Sequence, residues 1–201
     1  MQFSYNTIAS PVKEILMKEK GSKFLGFAFP VNNEEDLKAA LTEIRLEHPK
    51  ATHHCYAFRL GLQGENYRAT DDGEPSGSAG LPIYNQLLAN DLTNILIIVV
   101  RYYGGTKLGV SGLVKAYKES AKLTLEECNI VTKELESRVE IIFSFEKQNQ
   151  IFTLLNKLDG KILDFTSDAN CTIIASIKTE LKQNISAQLS EMQNIKFNFL
   201  E

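Results

Sequence analysis

The six-residue run Ile95–Val100, "ILIIVV", constrains this chain more than any other stretch. It is aliphatic at every position, so a strand built from it is apolar on both faces, and both faces must be covered. It is far too short to cross a bilayer, which takes about 20 residues. The run therefore predicts the central strand of a layered α/β unit and no membrane partner. Its C-terminal end opens through "RYYGGTKLG", Arg101–Gly109, into a long helix at about Val110 to Cys128. Strand ends that open into helices are where α/β proteins place ligands.

The segments around this strand read in turn. "VKEILMKEKGSKFLGFAFPV" is two strands around Gly21 and Ser22. "NNEEDLKAALTEIRLEH" is a helix capped by Asn32 or Asn33, with Leu37, Ala40, Leu41 and Ile44 as its apolar stripe. "ATHHCYAFRLGL" alternates as a strand, with Tyr56, Phe58 and Leu60 on one face and "ENYRATDD" as its partner. "LPIYNQLLAND" is a short helix, and "NIVTKELES" reads as a linker. Beyond it, strands "VEIIFSF", "KILDFTS", "CTIIASI" and "IKFNFL" alternate with helices "QNQIFTLLNKL" and "ELKQNISAQLSEM". That βαββαβ order is the ferredoxin-like plait. The expected fold class is α+β, with domains at 1–133 and 138–201.

Composition narrows function. The 201 residues carry a net charge of -3, so no global basic field attracts nucleic acid, and any such contact needs a local patch. Cys55, Cys128 and Cys171 are odd in number and widely spaced, which points to reduced thiols in the cytoplasm. The opening "MQFSYNTIAS" has no basic-then-apolar signal pattern.

The polar stretch "TDDGEPSGSAG", Thr70–Gly80, admits two readings. Amides of a glycine-rich turn entering a helix make an anion site, to which Ser76 and Ser78 would add hydroxyls. Asp71, Asp72 and Glu74 would repel a phosphate unless they turn away or hold a cation. The other reading is a tightly turned, capped helix entry, because Asp-Gly and Pro-Ser-Gly are common turn chemistry. In the second loop, Lys107 follows Thr106 and precedes Leu108, so the Gly-Lys-Ser/Thr of a P-loop is missing. On the helix that follows, Leu113, Ala116, Tyr117, Ala121 and Thr124 share one side, and Lys115, Lys118 and Lys122 the other. With Arg101 and Lys107 these lysines form a local basic strip, or simply a solvated face. In "HHC", His53 and Cys55 share a strand face and His54 points away, which argues against a metal. Ser76 or Ser78 with a histidine and Asp71 or Asp72 forms a triad on paper, without the G-x-S-x-G elbow. If the two strands before the glycine-rich loops run alike, both loops reach one rim of the sheet.

"TDDGEPSGSAGLPI" followed by "NILIIVVRYYGGTKLGVSGLVKAY" resembles the IMPACT/YigZ family, and the resemblance covers the whole chain. Departures are Ser78 for the usual Thr, Tyr103 for Phe, Ser111 for Gly and Lys115 for Arg. The resemblance implies a first domain like that shared by a ribosomal small-subunit protein and domain IV of elongation factor G, and a ferredoxin-like second domain. It implies a binding surface of Asp71, Asp72, Gly73, Glu74, Pro75, Ser76, Gly77, Ser78 and Gly80 in the first loop. In the second it implies Arg101 to Gly112, with Arg101, Tyr102, Gly104, Gly105, Lys107, Gly109 and Gly112 as the site, to which the basic strip adds Lys115. Eukaryotic members resemble translation regulators that compete, through an extra domain, for the activator of a starvation-sensing kinase, and no such domain is expected here. The expected function is a cytoplasmic translation-associated regulator that binds RNA, the ribosome or a translation-machinery protein, with no cofactor or metal. The alternative is a hydrolase or phosphate-ligand enzyme using the same pocket, possibly with a divalent cation held by the acids.

Overall fold

The structure is a computed structural model that describes residues 3–200. It forms two compact units, one over Tyr5–Lys133 and one from Glu134 onward, to which Phe3 and Ser4 also belong. Up to the boundary between the units the chain forms β1 (Ser4–Ile8), β2 (Val12–Glu19), β3 (Ser22–Pro30), α1 (Glu34–Glu47), β4 (His53–Leu60) and β5 (Asn66–Thr70). It continues with α2 (Gly80–Ala89), β6 (Ile95–Tyr102), α3 (Gly109–Glu126) and β7 (Ile130–Glu134). The second unit contains β8 (Glu136–Phe143), α4 (Gln148–Lys157), β9 (Lys161–Ser167), β10 (Cys171–Lys178), α5 (Lys182–Glu191) and β11 (Lys196–Leu200). Among the described residues no helix is long and apolar enough to cross a membrane.

The aliphatic strand is central, as its composition requires. Five strands lie in the order β2-β3-β6-β4-β5, and every neighbouring pair is antiparallel. Ile95, Ile97 and Val99 pack with α2 and α3 on one face, while Leu96, Ile98 and Val100 pack with α1 on the other. All six are fully buried. Each contributes about 1.5–3 kcal/mol of burial, so this one strand anchors both layers. Because β4 lies antiparallel between them, β5 and β6 run the same way. Their C-terminal ends therefore share a rim, although no two neighbouring strands are parallel.

The local chemistry matches the elements. Asn33 caps α1, its side chain accepting from the Asp36 amide at 2.8 Å, while Asp36 accepts from the Asn32 amide at 2.8 Å. Such a cap is worth about 1 kcal/mol. Leu37, Ala40 and Ile44 are buried beneath α1, and Leu41 is half-buried.

The segment read as a linker is a correction. Ile130–Glu134 is strand β7, paired with β1 in a two-stranded ribbon. Thr132 Oγ1 donates to Asn6 Oδ1 at 2.8 Å across this pair. The ribbon is exposed along most of β7, so no apolar alternation marks it, and its partner lies at the far end of the unit in sequence.

In the second unit the βαββαβ order is present, and the sheet order β11-β8-β10-β9 places its fourth strand beside its first and its third beside its second. Val139, Ile141 and Ile173 of the sheet bury Ile151 and Leu155 of α4 and Ile185 and Leu189 of α5.

Helix α3 lies close on the first sheet at Gly26. A Cβ there would sit 1.8 Å from Thr124 Oγ1. Gly26→Ala should therefore destabilise the protein by about 1–3 kcal/mol in urea titration. Adding Thr124→Ala should recover part of that loss, as coupled neighbours do. Strictly additive losses would show that the two positions do not press on each other.

Candidate functional site

The first glycine-rich loop closes on its own acid. Asp71 Oδ2 accepts from the Gly77 amide at 2.8 Å, and Oδ1 accepts from the Ala79 and Gly80 amides at 2.9 Å each. These amides stand at the entry to α2, where an anion is favoured. The amides that the sequence offered to an anion are taken by the Asp71 carboxylate. Partial burial alone would raise the Asp71 pKa; the amides of Gly77, Gly80 and Ala79 outweigh that and hold it below the usual carboxylate value. Gly80 allows the tight fit, since a Cβ would lie 2.4 Å from the Thr70 nitrogen.

Two expected ligand groups are corrected by this geometry. Ser78 is fully buried and its Oγ donates to the Pro75 carbonyl at 2.6 Å, so it does not offer a hydroxyl to a ligand. The amides of Gly77 and Gly80 are likewise taken. Ser76 is exposed. Asp72 ties the loop to β4: its Oδ2 accepts from the His54 amide at 2.7 Å and its carbonyl lies 2.8 Å from His53 Nδ1. Asp72 and Gly73 take positive φ, 46° and 89°, and so turn the chain back towards the sheet.

That turn delivers Glu74 to a buried ion pair. Its side chain is 4% exposed, and Oε1 lies 2.5 Å from Arg101 Nη1, 2.8 Å from the Tyr117 hydroxyl and 3.7 Å from His53 Nε2. Arg101 continues the Ile95, Ile97, Val99 face of β6, with Phe24 and His53 directly across the strand pairs. Its Nη2 donates to Ser22 Oγ at 3.3 Å, and its guanidinium lies 5.4 Å from the Phe24 ring centre and 5.6 Å from that of Tyr103. Tyr117 sits edge-on to Phe24, and the Cys55 thiol lies 3.3 Å from its hydroxyl and 2.9 Å from the Asp71 carbonyl. Burial, then the neighbouring Cys55 and Glu74, push the Tyr117 phenol up. Burial also pushes the Cys55 thiol up, so both groups stay protonated and act as donors.

Beside the pair opens a cleft of about 260 Å³, lined by Glu74, Arg101, Tyr103, Lys107, Leu108 and Val110 among others. Leu108 also borders a groove of about 600 Å³, which contains Lys20, Gly112, Lys115 and Lys118 together with Glu19 and Glu119. The second loop thus divides its predicted residues. Arg101, Lys107 and Gly109 line the cleft, while Gly112 and Lys115 line the groove. Tyr102 is a correction: strand alternation sends it to the α1 side, where its hydroxyl lies 2.9 Å from His48 Nδ1. Gly104 packs on Gly21, where a Cβ would come within 1.9 Å of backbone carbon. Gly105 is exposed at φ 86°. Ser111 lies in the first turn of α3 and not in the loop, so it takes no glycine from the loop backbone. Lys122 pairs with Glu126, away from both openings.

His53, Cys55, Tyr103 and Tyr117 also stand at the site: Tyr103 falls within the expected surface Arg101–Gly112, while the sequence offers His53 and Cys55 only for a metal or triad, and Tyr117 only as part of the apolar stripe. The legible signal was Tyr117 among apolar residues on the buried side of α3, since a buried hydroxyl needs a partner. The paper triad does not form through Ser78 and Asp71, whose polar atoms are engaged elsewhere. Among the described residues no three His, Cys, Asp or Glu side chains are grouped to hold a metal.

The Impact N-terminal domain family matches residues 20–125, which hold both loops and the cleft. "IMPACT family member YigZ" of Escherichia coli (strain K12) is 32% identical over 91% of this chain and 90% of its own length. The chain belongs to the IMPACT family. "IMPACT family member YvyE" of Bacillus subtilis (strain 168) is 35% identical over 67% of this chain and 62% of its own. A solved structure titled "Crystal structure of an hypothetical protein" superposes with TM-score 0.73 at 30% identity, covering 100% of this chain and 99% of that one. The loop "TDDGEPSGSAG" thus braces itself through Asp71 and presents two acids, Asp72 and Glu74, to the sheet.

Asp71 supplies a test of that brace. Its native pKa is depressed, so its stabilisation is present above the unfolded carboxylate value of about 3.9 and is lost as pH falls through the lower native value. Asp71→Asn should cost about 2 kcal/mol at pH 7, as loss of charged hydrogen bonds does. The gap to the parent protein should narrow in urea titrations between about pH 4 and pH 2. A gap independent of pH would contradict the carboxylate's role.

Proposed function

We propose that this IMPACT-family chain is a cytoplasmic, translation-associated binding factor that docks on RNA or the ribosome through the shared rim of its two loops. The observation that carries this reading is the rim itself. Both glycine-rich loops end there beside a partly apolar cleft, and Lys107 and Lys115 stand exposed near it with no carboxylate within ion-pair distance among the described residues. In a chain of net charge -3, such unpaired cations supply the local patch that a polyanion needs. The finer fold reading supports the same end. The second unit's strand order suits a ferredoxin-like domain, and the first is proposed to share its fold with domain IV of elongation factor G, with domains at 1–133 and 138–201. A fold likeness alone does not give function, so the rim carries the weight. A translation-machinery protein as partner is the competing case.

Binding to purified ribosomes and to bulk RNA, measured by co-sedimentation across a salt series, tests the reading. Each phosphate contact adds about 0.7–0.9 to the log–log salt slope. Lys107→Ala with Lys115→Ala should flatten it by about one to two units. Lys161→Ala, in the second unit and paired with Glu136, should leave it unchanged. No binding by the parent protein, or an unchanged slope in the double variant, overturns the proposal.

A further inference from the structure

Resting on the binding reading above, we infer that the cleft takes one unpaired base of a single-stranded nucleic acid and that Glu74 favours bases carrying an exocyclic amine. Three features of the cleft converge on this ligand.

Size comes first. At about 260 Å³ the cleft falls below the roughly 300 Å³ at which pockets for drug-sized ligands begin, so it suits one ring system and not an extended chain. Its lining is mostly apolar, with Leu108, Val110 and Leu113 beside Pro75. Tyr103, a residue 47% exposed, adds an aromatic ring. A flat heterocycle stacks on such a ring whatever its sequence context. A base inside a duplex has no face or edge free to enter, so the strand must be single there.

Glu74 supplies the second feature. Its carboxylate lines the cleft and is 4% exposed, yet all its close contacts gather on Oε1. Among the described residues Oε2 accepts no hydrogen bond. A carboxylate oxygen with no protein donor is free to accept one from a ligand. The amino groups of cytosine, adenine and guanine provide one, and carboxylates are known readers of the cytosine amine. Uracil instead places carbonyls on both sides of its single ring N–H, and these oppose a carboxylate.

The third feature is the route for the backbone. Lys107 borders the cleft, and across Leu108 the adjoining groove carries Lys20, Lys115 and Lys118 against Glu19 and Glu119, three cations to two acids. A strand with its base in the cleft can lay phosphates along this line.

The test is fluorescence anisotropy of the full chain with labelled 12-mers of C, A or U and with a duplex of the same length, at fixed salt. The expected order is C and A tightest, U weaker, duplex weakest. Tyr103→Ala should weaken oligo-C binding by about 5- to 100-fold, as loss of one stacked base does, and leave the salt slope intact. Tyr103→Phe should retain binding. Glu74→Gln, if its melting curve shows a folded protein, should erase the preference for C over U. Equal binding of single strand and duplex, with no effect of Tyr103→Ala, overturns this inference and leaves the broader reading standing. Binding to RNA-stripped ribosomal proteins with no affinity for any oligomer makes the occupant a protein and also overturns it. Failure to bind oligomers, RNA and ribosomes alike removes the broader reading itself.

Discussion

A carboxylate and a guanidinium, buried together at the end of an aliphatic strand, set the geometry of the rim. Burying each charge costs several kcal/mol, and mutual attraction offsets this only when further hydrogen bonds complete the pair. Tyr117 supplies one to Glu74, and Ser22 accepts one from Arg101. Arg101 is fixed by the register of β6 between β3 and β4. Glu74 must therefore come to it, which brings the first loop over the end of β6. Removing either partner leaves an uncompensated buried charge, a loss of about 3–5 kcal/mol. The position of the loop is thus a consequence of where the aliphatic strand ends.

Asp71 and Glu74, two of the three acids of this loop, do different work because their surroundings differ. Asp71 meets three backbone amides at a helix entry and has both oxygens occupied. Glu74 meets a cation and a phenol through Oε1 and also lines the cleft. The loop's glycines serve the first acid. They shape a nest that the chain fills itself, while Glu74, Tyr103 and Lys107 line the neighbouring cleft.

Much of this was legible in the residues. Ile95–Val100 announced a doubly covered strand, and the alternation of "HHCYAF" correctly divided His53 and Cys55 from His54. Asn33 and its acidic first turn marked the start of α1. The ribbon of β1 and β7 was not legible, because an exposed five-residue strand leaves no apolar period and its register depends on a distant partner. In the site, the same alternation that places Arg101 should have excluded Tyr102, whose odd-even position sends it to the α1 face. The fate of Ser78 and of the loop amides could not be read locally, since backbone donors carry no signature in sequence. Only the fold shows that Asp71 claims them.

Photo-cross-linking of the full chain to single-stranded RNA, followed by mass spectrometry of the adducts, tests most directly whether the rim is where this protein meets nucleic acid. The account predicts nucleotide adducts on the segment from Arg101 to Leu108, centred on Tyr103, and their loss when Tyr103 is replaced by Leu. Adducts confined to Glu136–Leu200, or spread evenly over both units, would contradict it.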